Sequence, residues 1–147
     1  DRYRATFWCQ KGQSSYETPL ADKVIDETTA SPVANSEFFI FSTAKYPEAA
    51  LLLKEHRLLI TTDSIQNFSW KRYTTFLTKV VLGLMGFKQE LLIGKPWIKR
   101  VTPKGASMRQ DFDKLMELDF EHLIAAHGTL LKGDAKSQLL KVVDATF

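Results

Sequence analysis

Apolar residues come in short runs or alternate through the first third of the chain, then recur with helical spacing through much of the remainder. Ala5-Thr6-Phe7-Trp8-Cys9 and Lys23-Val24-Ile25-Asp26-Glu27 have the length and make-up of short strands. Residues 10–16 and 28–36 are polar, the second with Pro32, and read as loops. Glu37-Phe38-Phe39-Ile40-Phe41 is a compact aromatic strand. Ala49-Ala50-Leu51-Leu52-Leu53 and Arg57-Leu58-Leu59-Ile60-Thr61 flank Lys54-Glu55-His56, the pattern of a hairpin with a charged turn. The unbroken apolar character of these runs predicts strands covered on both faces.

Further along, helix and strand alternate. In residues 69–84, Trp70, Tyr73, Phe76, Leu77, Val80, Val81 and Leu84 fall on one helical face, and Lys71, Arg72, Thr75 and Lys79 on the other. Leu82, Met85 and Phe87 make the end of this helix apolar all round. That composition predicts a core helix, with a dimer contact or pocket wall as the alternatives. Residues 91–99, with Gly94 and Pro96, read as a loop. Thr102-Pro103 has the form of a helix start, with Thr102 as N-cap and Pro103 in the first turn. Met108, Phe112, Leu115 and Met116 would be the buried stripe of that helix. Residues 121–126 form a strand, and a last helix begins at the capping Asp134 with Leu140, Val143 and Phe147 on one face. No repeat, low-complexity tract or long linker divides residues 1–147, so the expectation is one α/β domain.

Composition changes this picture little. Apolar residues are 44% and charged residues 25% of the 147, an ordinary globular balance. The net charge of +3 comes from scattered lysines and arginines, a distribution that favours neither nucleic-acid nor membrane binding. The longest apolar run, residues 80–87, contains two glycines and falls far short of the ~20 residues of a membrane span. Cys9 is the only cysteine, which excludes an intrachain disulfide and fits a cytoplasmic protein. Within its apolar run it reads as a small buried hydrophobe.

Two ionisable residues stand where α/β folds build sites. Asp63 closes Leu58-Leu59-Ile60-Thr61-Thr62-Asp63, and His127 closes Leu123-Ile124-Ala125-Ala126-His127. A strand holds such a side chain in place while the loop after it opens to solvent. The other candidates are weaker. His56 belongs to a solvated turn. His122 would lie about 16 Å from His127 along a strand and point to the opposite face. Ser64 lacks a nucleophile-elbow motif and, like Asn67, reads as a turn or cap residue. Asp111 and Asp113 flank Phe112 and should diverge into water. Trp97 should pack on the domain surface.

With these residues the sequence resembles the C-terminal part of the metallo-β-lactamase fold. The segments that carry the likeness are Lys45-Tyr46-Pro47-Glu48-Ala49-Ala50-Leu51-Leu52-Leu53, then Leu58 through Asp63-Ser64, and Leu123-Ile124-Ala125-Ala126-His127-Gly128. In that superfamily a histidine-bearing turn, a strand ending in Gly-Asp and a strand ending in His-Gly each supply metal ligands. The resemblance implies an αββα sandwich whose N-terminal portion, with the His-x-His-x-Asp-His motif, would precede Asp1. It implies metal-dependent hydrolysis of a small-molecule substrate, with Asp63 and His127 as catalytic residues and ligands to zinc, iron or manganese. The sequence departs from the pattern at two places: Lys45 replaces the turn histidine as a degenerate ligand position, and Thr62 replaces the glycine before Asp63. A lysine ammonium cannot ligate a metal. The alternative is therefore a metal-free pseudoenzyme or binding protein on the same fold, with a homo-oligomer formed through residues 80–87.

Overall fold

The computed structural model describes residues 5–12, 20–68, 75–84 and 90–147. In chain order its strands are β1 (Trp8–Gln10), β2 (Lys23–Ile25), β3 (Ser36–Ile40), β4 (Ala49–Leu53), β5 (Leu58–Thr61), β6 (Ile65–Asn67), β7 (Leu91–Ile93) and β8 (His122–Ala125). The helices are α1 (Phe76–Leu84), α2 (Lys95–Val101), α3 (Arg109–Leu115) and α4 (Ala135–Thr146). The class is mixed α/β, as the alternation of patterns predicts.

The main sheet has the order β3-β4-β5-β8. β3, β4 and β5 are antiparallel neighbours, and β8 joins β5 in parallel. The β4–β5 hairpin turns through a 3-10 segment at Lys54–His56 and closes at Arg57, whose φ of 46° is left-handed. The Arg57 guanidinium pairs with Asp119 and Glu121, both 2.8 Å away, tying the turn to the segment that enters β8. β6 pairs antiparallel with β7, and β1 pairs parallel with β2.

One face of the main sheet is the core. Leu52, Leu59 and Leu123 align across β4, β5 and β8 and are buried, as are Ala50, Thr61 and Ala125. Trp97, Val101, Phe112, Leu115, Leu139 and Val143 from α2, α3 and α4 close over this face. Phe41, Trp97 and Phe112 meet edge-on, with ring centroids 5.4–6.1 Å apart. The other face carries a second apolar row, Phe38–Leu51–Ile60–Ile124, in register across all four strands. This face is only half-buried among the described residues, and Ile124 is exposed. The β1–β2 pair approaches it, with the Trp8 and Phe38 ring centroids 6.4 Å apart. Strand composition thus predicts burial on two faces where one is buried, and Cys9 is half-buried rather than enclosed.

Several local expectations are corrected. Residues 91–99 are not a loop: Leu91, Leu92 and Ile93 form a buried strand, and Gly94 is the N-cap of α2 with Pro96 in its first turn. Pro96 is a helix-start signal because its missing N–H falls among the N-terminal donors that have no intrahelical acceptor. Thr102 ends α2 instead of starting the next helix, since a residue before proline is pushed out of the helical region. α3 begins after Met108; of its predicted stripe Met108, Phe112 and Leu115 are buried, while Met116, at the C-cap, is half-buried. Trp97 is core, not surface. In α4 the buried face is Ala135, Leu139, Val142 and Val143, while Leu140 and Phe147 are exposed.

Asp111 is the sharpest local surprise. It is fully buried and accepts hydrogen bonds from Ser42 Oγ at 3.1 Å, Thr43 N at 3.0 Å and Thr43 Oγ1 at 2.5 Å. A buried carboxylate is tolerated where its oxygens are satisfied this way. It anchors the segment leaving β3 onto α3. The predicted helix over 69–84 is present from Phe76; residues 69–74 and 85–87 of that reading lie outside the described residues. Its apolar stripe is not core: Phe76, Leu77, Val80, Val81 and Leu84 are all exposed.

Candidate functional site

Parallel pairing brings the two candidate residues together. Thr61 on β5 is in register with Ala125 on β8, and Ala126 N donates to Thr61 O at 3.0 Å. Two positions beyond that paired row, Asp63 Oδ1 and His127 Nε2 lie 3.1 Å apart. Both strands point the same way, so both polar ends emerge at one edge of the sheet. Each side chain is 59% exposed, so the pair is open to solvent.

His127 is positioned through its backbone. Its carbonyl accepts a hydrogen bond from Asn67 N at 3.3 Å, and Thr129 N donates to Asn67 O at 2.7 Å. Asn67 is buried and donates from Nδ2 to Thr129 O at 2.9 Å, so it is a strand residue that clamps the His127 turn. Between these bonds Gly128 adopts φ +124°, and a Cβ there would sit 1.8 Å from Asn67 O. Only glycine fits that approach, which gives the His-Gly pair a structural cause.

Asp63 is positioned by a residue that the sequence reading leaves unassigned. Glu48 Oε1 accepts hydrogen bonds from Thr62 Oγ1 and from Ser64 N, the latter at 3.2 Å, bracketing Asp63 on both sides. The signal was available in the hairpin register. Leu51 faces Ile60, and continuing that register sets Glu48 opposite Asp63. Gln66 Nε2 adds a bond to Asp63 O at 3.3 Å. Ser64 is fully buried in the bend after β5, and among the described residues its Oγ has no hydrogen-bond partner.

The remaining candidates lie elsewhere. Lys45 is exposed; its N–H donates to Val101 O at 2.7 Å, and its ammonium sits 5.2 Å from the centre of the Tyr46 ring. Among the described residues no ion pair joins it to Asp63. His122 turns away and accepts a hydrogen bond from Gly133 N at Nδ1, 2.9 Å, while His56 is exposed in the hairpin turn. A cavity of about 390 Å³ opens on the outer sheet face between the β1–β2 pair and the main sheet. Trp8, Phe38, Leu51 and Ile60 give it apolar walls, and Glu48 and Asp63 line it with carboxylates.

A carboxylate touching an imidazole can pass a proton or contribute two donors to a cation. A catalytic zinc needs three protein ligands. Among the described residues no group of three or more His, Cys, Asp or Glu side chains is placed to hold a metal ion. Asp63 and His127 alone therefore do not fit a resident catalytic metal. No protein-family model, curated protein or solved structure matches this chain.

Proposed function

We propose that this chain is the C-terminal part of a metallo-β-lactamase-type αββα domain, and that it is a hydrolase-type protein in which Asp63 and His127 handle the proton of an attacking water. The observation that carries this reading is the 3.1 Å contact between the residues that follow β5 and β8. The apolar outer face of the main sheet supports it, because a row such as Phe38–Leu51–Ile60–Ile124 is what a second sheet would cover. In this reading His127 accepts the proton at its free nitrogen, Asp63 holds the ring, and the neighbouring cavity takes the apolar part of a small-molecule substrate. Zinc, iron or manganese would supply an activated water if further ligands completed the site. The described residues do not, so no step here depends on one. The missing third donor favours a second reading, a metal-free binding protein on the same scaffold.

Hydrolysis of a panel of chromogenic esters, phosphodiesters and lactams separates the two, with protein purified without chelator and assayed with and without added Zn, Mn or Fe. Turnover that falls by on the order of a hundredfold in His127→Ala supports the hydrolase. Metal content below about a tenth of an equivalent, with no turnover under any condition, overturns it in favour of the binding protein.

A further inference from the structure

The cavity on the outer sheet face combines apolar walls with charge of one sign. Its roof is the β1–β2 pair, held to the main sheet where Gln10 Nε2 donates to Glu48 O at 3.0 Å. Half-buried Trp8, Phe38, Leu51 and Ile60 make it apolar, and the Trp8 and Phe38 rings, 6.4 Å apart and inclined at 43°, form an aromatic corner. Its volume of about 390 Å³ falls within the ~300–1,000 Å³ of small-molecule sites. Glu48 and Asp63 bring two carboxylates into this lining, and among the described residues no lysine, arginine or histidine joins them there. The whole chain is at +3, so the sign at the cavity is opposite to that of the molecule.

Neither carboxylate is used up. Glu48 Oε1 accepts from Thr62 Oγ1 and Ser64 N, and Asp63 Oδ1 meets His127 Nε2. Among the described residues no hydrogen bond or ion pair engages Glu48 Oε2 or Asp63 Oδ2. These groups choose among ligands. An anion would be repelled by both carboxylates, and a neutral apolar molecule would leave them unused. A bare metal ion lacks the three side-chain donors it needs among the described residues. An ammonium group on an apolar body uses everything present: the cation meets the free oxygens and the aromatic corner, and the body covers Leu51 and Ile60. We propose, on the strength of the reading that this cavity takes the substrate, that its ligand is an organic cation, a small aromatic or aliphatic amine selected by the charge of Glu48 and Asp63.

The test is titration of the whole ¹⁵N-labelled chain at about pH 7 with phenethylamine, followed through amide shifts, against phenethyl alcohol and phenylacetate as its neutral and anionic counterparts. Phenethylamine is expected to bind with a Kd on the order of 1 mM, the affinity of a fragment, and about tenfold tighter than the alcohol. Phenylacetate should bind more weakly than either, and the shifts should centre on Trp8, Phe38, Glu48 and Asp63. Glu48→Gln keeps an oxygen for Thr62 and Ser64 while removing the charge. It should weaken the amine by about threefold and leave the alcohol unchanged, with an unaltered melting curve. Trp8→Ala should weaken amine and alcohol alike. Equal affinities for amine and alcohol in the unmodified chain overturn the proposal. So do amide shifts confined to other parts of the fold, or full amine affinity in Glu48→Gln. The readout is binding and not turnover, so a failure here is distinct from a failure of the hydrolase assay.

Discussion

Replacing Gly128 with alanine tests how the site is held, and its cost can be worked from the structure. The new Cβ would stand 1.8 Å from Asn67 O and 2.5 Å from its carbonyl carbon, inside contact distance of backbone that cannot swing aside. Relief requires β6 to separate from the His127 turn. That breaks Asn67 N to His127 O and Thr129 N to Asn67 O, about 0.5–1.5 kcal/mol each. Alanine at φ +124° adds about 1–3 kcal/mol of backbone strain. The sum is centred near 4 kcal/mol, a large share of the ~5–15 kcal/mol that stabilises a domain. Gly105→Ala is the internal control, since its φ is +78° and a Cβ there meets nothing within 4 Å. Strain alone acts there, so its cost is about 1–2 kcal/mol. Urea denaturation of both variants measures the difference. Equal midpoints would refute the claim that close approach of Asn67, and not conformation alone, demands glycine beside His127.

Other substitutions probe the core and the turns. Asp111→Ala strands Ser42 Oγ, Thr43 N and Thr43 Oγ1 and should cost about 3–5 kcal/mol by urea denaturation; Asp111→Asn keeps one acceptor oxygen and should cost less than half of that. Leu139→Ala should cost about 2–4 kcal/mol and Leu140→Ala under about 0.5, because only Leu139 is buried; the reverse order would mean that α4 is rotated. Asp26 is held well below the usual carboxylate range, at about 2, first by the hydroxyl of Thr29 and then by the hydroxyl and N–H of Thr28. With its folded value depressed, the turn it closes is supported above the ordinary value of 3.8 and loses that support as pH falls through about 2. Carboxyl NMR should give that midpoint, and Thr29→Ala should raise it.

Legibility followed the range of the physics. Strand runs, the β4–β5 hairpin, the α3 stripe and the polar strand ends are local patterns, and they stand in the structure close to where the sequence puts them. Residues 91–99 misled because glycine and proline mark helix starts as well as loops, and the local pattern did not separate the two. Asp111 misled because a charged residue reads as solvated until the hydroxyls that satisfy it, nearly seventy positions away, are seen.

The candidate site divides the same way. The sequence by itself determined that Asp63 and His127 would each stand where a strand gives way to a loop, since apolar runs and polar stops are properties of neighbouring residues; the strands themselves stop two residues earlier, at Thr61 and Ala125. Tertiary structure decided that β5 and β8 are parallel neighbours in one register, which alone puts the carboxylate 3.1 Å from the imidazole. It also decided that Glu48 braces the Asp63 turn and that α1 leaves its stripe exposed. Those outcomes depend on which distant segments compete for the same surface. A hydrophobic pattern states that a face prefers burial, but it does not state what, if anything, will cover it.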